Sequence, residues 1–275
     1  MNASGAKELP IGVFDSSVGG LTVLKALREA LPHEDLIYLG DTARLPYGTK
    51  SPTSISRYAL QATRLLQEKG IKLLVVACNT ASAVALESLR EQMSPLPVLG
   101  VVEPGAAAAV AASPGGKHLV LATEATVRLG AYRQAIADRD PRAKVGELAC
   151  ELLVALAEEG WNDGAIAETI VSRYLAEAGD AAEDLDTVIL GCTHFPLLRK
   201  TFAAVLDADV AIVDSATTTA MAARALLEEI ALLNDQRVAG RLRLLATDGA
   251  TRFARVGGQF LGQPLTWEDV TLVDL

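Results

Sequence analysis

The sequence predicts an α/β fold in which parallel strands are covered on both faces by helices. Three observations predict it: branched apolar runs of about five residues recur along the chain, amphipathic stretches separate them, and 50% of the 275 residues are hydrophobic. Parallel strands buried on both faces read as near-continuous apolar runs, and each needs a crossover to reach the next. A chain of this length buries roughly three quarters of its unfolded surface, in one or two domains.

Taken in order, the apolar runs place strands at Ile11 to Phe14, Leu36 to Leu39, Leu73 to Ala77, Val98 to Val101, Leu119 to Ala122, Val188 to Leu190, Ala211 to Val213 and Leu242 to Leu245. Helices fill the gaps. Ser54 to Lys69 is bounded by Ser51-Pro52, a cap followed by proline at the first helical position, and by Gly70, which suits a left-handed C-terminal cap. Ala106 to Ala112 reads as an alanine-rich helix packed closely on a sheet. Asp214-Ser215 reads as the N-cap of the helical stretch Ala216 to Leu233.

Charge and cysteine usage narrow the function. A formal net charge of -9 without clustered Lys or Arg argues against direct nucleic-acid binding, because phosphate contacts need clustered cations. Met1 to Pro10 lacks the apolar core of a signal peptide and no run approaches ~20 apolar residues, so no membrane partner and a cytoplasmic location are expected. Three cysteines, an odd number, fit free thiols in a reducing compartment.

Two of those cysteines stand in matching settings. Leu73 to Ala77 runs into Cys78-Asn79-Thr80-Ala81-Ser82, and Thr187 to Gly191 runs into Cys192-Thr193-His194. Both thiols are therefore expected at strand ends near helix N-termini, where free N–H groups and the helix dipole stabilise a thiolate. Two such thiols suggest two-base proton transfer. Asp15-Ser16 opens a small-residue turn through Gly19-Gly20 that lets backbone approach a ligand. Asp41 to Lys50 is rich in turn formers and reads as an ordered loop over a site. Cys150 reads as a buried small hydrophobe. Cys192-x-His194 is half of a zinc pattern, but no close Cys pair or His-x3-His completes it, so no metal is expected. Apart from Lys50 at a loop edge, no Lys lies in these segments to hold pyridoxal phosphate, and no cofactor is expected.

Four segments, Asp15 to Leu21, Asp41 through Pro46-Tyr47-Gly48, Ala77 to Ser82 and Gly191 to Pro196, resemble in order and spacing the signatures of bacterial glutamate racemase, of the aspartate/glutamate racemase family. Val102 to Gly105, Ala122 to Val127 and Leu148 to Cys150 followed by Glu158 to Gly160 fit as well, so the resemblance runs from Ile11 to about Phe260. It implies a cofactor-independent enzyme that interconverts L- and D-glutamate and supplies D-glutamate for peptidoglycan, acting as a homodimer. It also implies two similar α/β domains facing each other, with the second inserted into the first: residues 1–101 plus 214–275, and residues 102–213.

The resemblance assigns Cys78 to D-glutamate and Cys192 to L-glutamate, with Asp15 assisting Cys78, and His194 with Glu158 assisting Cys192. Substrate contacts are expected from Asp15, Ser16, Asp41, Pro46, Tyr47, Gly48, Asn79, Thr80, Thr123, Thr193 and His194, with Asp15 and Asp41 receiving the ammonium. Ser17 stands where the family usually has Gly, which predicts strain if that backbone has positive φ. Phe195 replaces a usual Tyr, and Cys150 to Leu156 lacks the prolines and aromatic usual there. The competing readings are an aspartate racemase of the same family, a Cys192–His194 hydrolase, which leaves Cys78 unexplained, and a non-catalytic amino-acid sensor or regulatory partner.

Overall fold

The structure, a computed structural model describing residues 3–275, contains ten strands, all in parallel ladders. They are β1 (Ile11–Asp15), β2 (Leu36–Gly40), β3 (Leu73–Val76), β4 (Val98–Gly100), β5 (Lys117–Ala122), β6 (Lys144–Ala149), β7 (Thr187–Gly191), β8 (Ala211–Asp214), β9 (Leu242–Ala246) and β10 (Val270–Leu272). One sheet of six has the order β10-β9-β2-β1-β3-β4, and one of four the order β6-β5-β7-β8. All eight expected strands are present, within a residue or two at each end. Two were not expected, β6 and β10. Both are edge strands, and neither is a continuous apolar run: β6 is only partly buried, and β10 exposes two of its three residues.

Alternation along the central strands divides the apolar residues between two faces. In the larger sheet Ile11, Val13, Leu73 and Val75 join one core with Leu21, Leu24 and Phe253, while Phe14, Leu74 and Val76 join a second with Ile55, Ala59 and Ala81. The smaller sheet is sandwiched in the same way. Each fully buried large apolar side chain contributes roughly 1.5–3 kcal/mol.

The helices form where their signals lie. Pro52–Glu68 is capped by Ser51, whose Oγ accepts from Ser54 N at 3.3 Å, and Gly70 beyond its end has φ +73°. Val102–Ala112 buries Ala106 and Ala109 against the smaller sheet. Asp214 caps Ser215–Glu229 by accepting from Ala216 N and Thr217 N at 3.1 and 2.9 Å. Among the described residues no helix is long and apolar enough to cross a membrane.

Strand order fixes where a ligand can sit. In the larger sheet the chain leaves β1 toward β2 on one side and returns to β3 on the other; in the smaller it leaves β5 toward β6 and returns to β7. Each reversal opens a crevice at the carboxyl ends of the two central strands. The first crevice carries Ser16 and Cys78, the second Thr123 and Cys192, and these four residues line one cavity.

Candidate active site

The cavity is small, about 70 Å³, below the ~300 Å³ usual at the low end for ligand pockets. It lies between the two sheets' lobes. Its walls are Ser16, Ser17, Leu45, Pro46, Tyr47, Gly48, Cys78, Asn79 and Thr80 from the larger-sheet side, and Thr123, Glu151, Val154, Glu158, Cys192, Thr193 and His194 from the other. Every expected site residue is therefore in the wall except Asp15 and Asp41.

Cys78 caps the helix Asn79–Met93. Its Sγ accepts from Ala81 N at 3.4 Å and donates to Ser16 Oγ at 3.4 Å. Behind it lies Asp15, fully buried: Oδ2 accepts from Ser17 N at 3.0 Å, and Oδ1 has no hydrogen-bond partner. Burial raises the Asp15 carboxyl above its ordinary range, against the opposing effects of His194 and nearby backbone N–H groups.

Cys192 is held differently. No α-helix starts at this thiol; a 3-10 turn, Phe195–Leu198, follows it, which departs from the expected helix N-terminus. Its Sγ lies 3.7 Å from His194 Nδ1, and His194 Nε2 lies 3.2 Å from Glu158 Oε1. The hydrogen bond with His194 keeps Glu158 below the usual carboxylate range, with Arg252 adding to the effect.

The helix N–H and Ser16 favour the Cys78 anion, as expected, but burial acts against it. Burial pushes the Cys78 thiol up to about 11 and pushes Cys192 higher still. Desolvation at these buried positions exceeds what one or two donors return.

Asp41 is fully buried, with Oδ2 accepting from Arg44 Nε at 2.7 Å and Tyr47 OH at 2.6 Å, and Oδ1 accepting from Thr247 Oγ1 at 3.0 Å. It is absent from the cavity wall, and these hydrogen bonds organise the loop that presents Pro46, Tyr47 and Gly48. That loop is ordered over the site, as expected, and Gly48 O accepts from Ala125 N across the cleft at 3.0 Å.

Ser17 is unstrained. The only described non-glycine residues with positive φ are Asp184 and Ala231, so the turn accepts a side chain at Ser17. The adjacent glycines are constrained by contact instead. A Cβ on Gly19 would collide with His194 Nδ1, and one on Gly20 would lie 2.5 Å from Asp15 Cβ. Phe195 is fully buried, and Cys150 is a buried core thiol pushed up to about 12 by burial.

Three supporting residues escaped sequence reasoning. Tyr132 OH donates to Asn79 Oδ1 at 2.7 Å across the cleft, Thr22 Oγ1 donates to Thr193 O at 2.9 Å, and Arg252 Nη2 donates to Glu158 Oε2 at 2.6 Å. None carries a local signal, because each acts on a partner remote in sequence.

Two parallel lobes place a thiol at each switch point of one cavity, Cys78 from the larger sheet and Cys192, beside His194 and Glu158, from the smaller. The Asp/Glu/Hydantoin racemase family profile matches residues 11–223, and the chain belongs to that family. It is 48% identical over 255 residues to a protein named glutamate racemase from Geobacter metallireducens, covering 93% of each chain. Its fold superposes on glutamate racemase from Bacillus anthracis with TM-score 0.91 at 36% identity, covering 98% of both chains. For a Francisella tularensis glutamate racemase solved with D-glutamate, the TM-score is 0.87 at 35% identity, covering 97% of this chain and 98% of the other.

Proposed function

We propose that this chain is a glutamate racemase working by two-base proton transfer between Cys78 and Cys192 without a cofactor. The observation that carries the reading is the pair of thiols at matching switch points of one cavity, each with its own acid–base neighbour. The relatives named glutamate racemase support the choice of substrate.

Racemisation takes a proton from one face of the α-carbon and returns one to the other. From L-glutamate, the Cys192 thiolate takes the α-proton; the Cα–H bond breaks, S–H forms, and the electron pair stays on Cα. Cys78 then gives its thiol proton to the opposite face and is left as thiolate. From D-glutamate the roles exchange, so apparent pKa values belong to the pair. His194 with Glu158 handles the proton of Cys192, and Asp15 that of Cys78. Because burial disfavours the thiolate on both sides, the substrate ammonium supplies the positive charge that favours one thiolate on binding.

The cavity wall has no Lys or Arg. The substrate carboxylates are therefore held by neutral donors: Ser16, Asn79, Thr80, Thr123 and Thr193, with backbone N–H groups near Tyr47-Gly48 and at the start of the helix after Cys78. We read the two lobes as domains of residues 1–101 plus 214–275 and residues 102–213. The product would serve peptidoglycan synthesis in the cytoplasm, with the enzyme acting as a homodimer. Circular dichroism of L-glutamate with dialysed protein tests the reading, and decay of the signal to zero is expected. Decay with L-aspartate and not L-glutamate would move the assignment to aspartate; no decay with either would overturn it.

A further inference from the structure

His194 and Glu158 both belong to the lobe of the smaller sheet, yet what holds them comes from the other lobe. The helix Ala250–Leu261, which leads from β9 to β10, lines with Arg252, Phe253 and Val256 a pocket that Glu158 shares. Arg252 near its start donates to Glu158 Oε2 at 2.6 Å. Phe260, two turns on, meets the His194 ring edge-on with centroids 5.1 Å apart. The other Glu158 oxygen faces His194 Nε2 at 3.2 Å, and His194 Nδ1 faces Cys192 at 3.7 Å.

A carboxylate bound through one oxygen is free to rotate or swing toward water. One held through both has its plane fixed, and with it the direction of its bond to the imidazole. The Glu158 side chain is 16% exposed while that of Arg252 is 52% exposed. The contact therefore costs the guanidinium little desolvation and acts on a mostly buried partner. An ion pair with one member this exposed is screened by solvent and contributes little to stability, so its use lies in geometry.

We propose that Arg252 is a positioning residue for the Cys192 half of the reaction: by clamping Glu158 from the opposite lobe, it aims His194 at Cys192. This rests on the racemase reading above. Arg252 touches neither thiol and is absent from the cavity wall, so it is not a catalytic residue.

The test compares Arg252→Ala and Arg252→Lys with the wild type. Because L- and D-glutamate are equal in free energy, kcat/KM must fall by one factor in both directions, expected to be about tenfold for Arg252→Ala from a misaimed proton-transfer group. Isotope effects separate a positioning role from a general structural one. If only Cys192 is impaired, the effect of α-deuteration on kcat/KM rises for L-glutamate, whose proton Cys192 takes. It falls for D-glutamate, whose proton Cys78 takes in a step that is no longer limiting. D-Glutamate in heavy water then gains deuterium with retention faster than it is inverted. Arg252→Lys, which keeps the charge, should restore most of kcat/KM. Unchanged kcat/KM, or isotope effects that move together, would overturn the proposal.

A second measurement needs no glutamate turnover. Alkylation by iodoacetamide, read by peptide mass spectrometry, should show the Cys192-to-Cys78 rate ratio falling severalfold in Arg252→Ala. An unchanged ratio counts against the clamp. A wild type that fails to racemise glutamate defeats the racemase reading, while this ratio still decides the clamp.

Discussion

The two halves of the cavity present the same thiol in unlike company. Cys78 caps a helix and has a fully buried carboxylic acid behind it; Cys192 sits on a tight turn beside an imidazole backed by a carboxylate. Asp15 has one oxygen without a partner and is pushed toward its neutral form, whereas Glu158 is held ionised by the groups around it. The difference teaches that mirror-related chemistry does not need mirror-related support. One side has a fully buried carboxyl as its neighbour, and the other has a buried imidazole backed by a partly exposed carboxylate whose second oxygen is held from across the cleft.

The largest expected effect breaks the pair. Cys192→Ala should abolish net racemisation from both enantiomers, a loss of at least about 10³-fold, while Cys78 still exchanges the α-proton of D-glutamate with heavy water, with retention. Cys78→Ala should show the converse with L-glutamate. Near-normal racemisation by either variant, measured by circular dichroism, would mean that one base suffices.

Removing the supports comes next. Asp15→Asn and His194→Asn should each lower turnover about 100-fold with the equilibrium unchanged, and isotope effects should place the loss on the Cys78 side for the first and on the Cys192 side for the second. Wild-type rates in both variants would take these residues out of the mechanism. The neighbouring glycines offer a finer cut. Gly19→Ala drives a methyl into His194 and Gly20→Ala drives one into Asp15, so substitutions one residue apart should each cost roughly 10- to 100-fold on opposite half-reactions. Equal isotope effects in the two variants would show that the turn moves as one body.

Titration sharpens the comparison without mutation. Burial raises Cys78 to about 11 and Cys150 to about 12, so the folded protein holds these protons more tightly than the unfolded chain. The associated stability is complete below the ordinary thiol value near 9 and is lost as pH climbs toward 11 and 12. Denaturant midpoints should fall over that window, and Cys78 alkylation should rise about tenfold per pH unit with no plateau before about 11. A plateau near neutrality would mean that Cys78 is already a thiolate. The smallest effect is expected at the third thiol. Cys150→Ala should leave kcat/KM unchanged while lowering the melting temperature by a few degrees, at a cost of about 1 kcal/mol.

How far the sequence foretold all this differs from one feature to the next for physical reasons. The central strands were legible because a parallel strand buried on both faces must be apolar throughout, while β6, with Gly146 and Glu147 at a sheet edge, need not be. Cys78, Cys192, Asn79, Thr80 and His194 were legible as a pattern of strand, thiol and small polar residues. The place of Asp41 behind the loop was not legible because Thr247, one of its partners, lies 206 residues away. The effect of burial on the thiols was not legible because a helix N-terminus is visible in sequence and the depth of burial is not. Arg252 gave no sign at all, since an arginine on an amphipathic helix reads as solvated surface.

The order of the strands bears on how the protein is made. The smaller sheet is assembled from one unbroken stretch, β5 to β8, whereas the larger one takes β1 to β4 from early in the chain and β9 and β10 from near its end. On a ribosome, the lobe that is synthesised second can therefore finish folding first. The helix carrying Arg252 and Phe260 emerges after every strand of the smaller sheet. Until it docks, the nascent chain holds both thiols while Glu158 and His194 lack their contacts with Arg252 and Phe260.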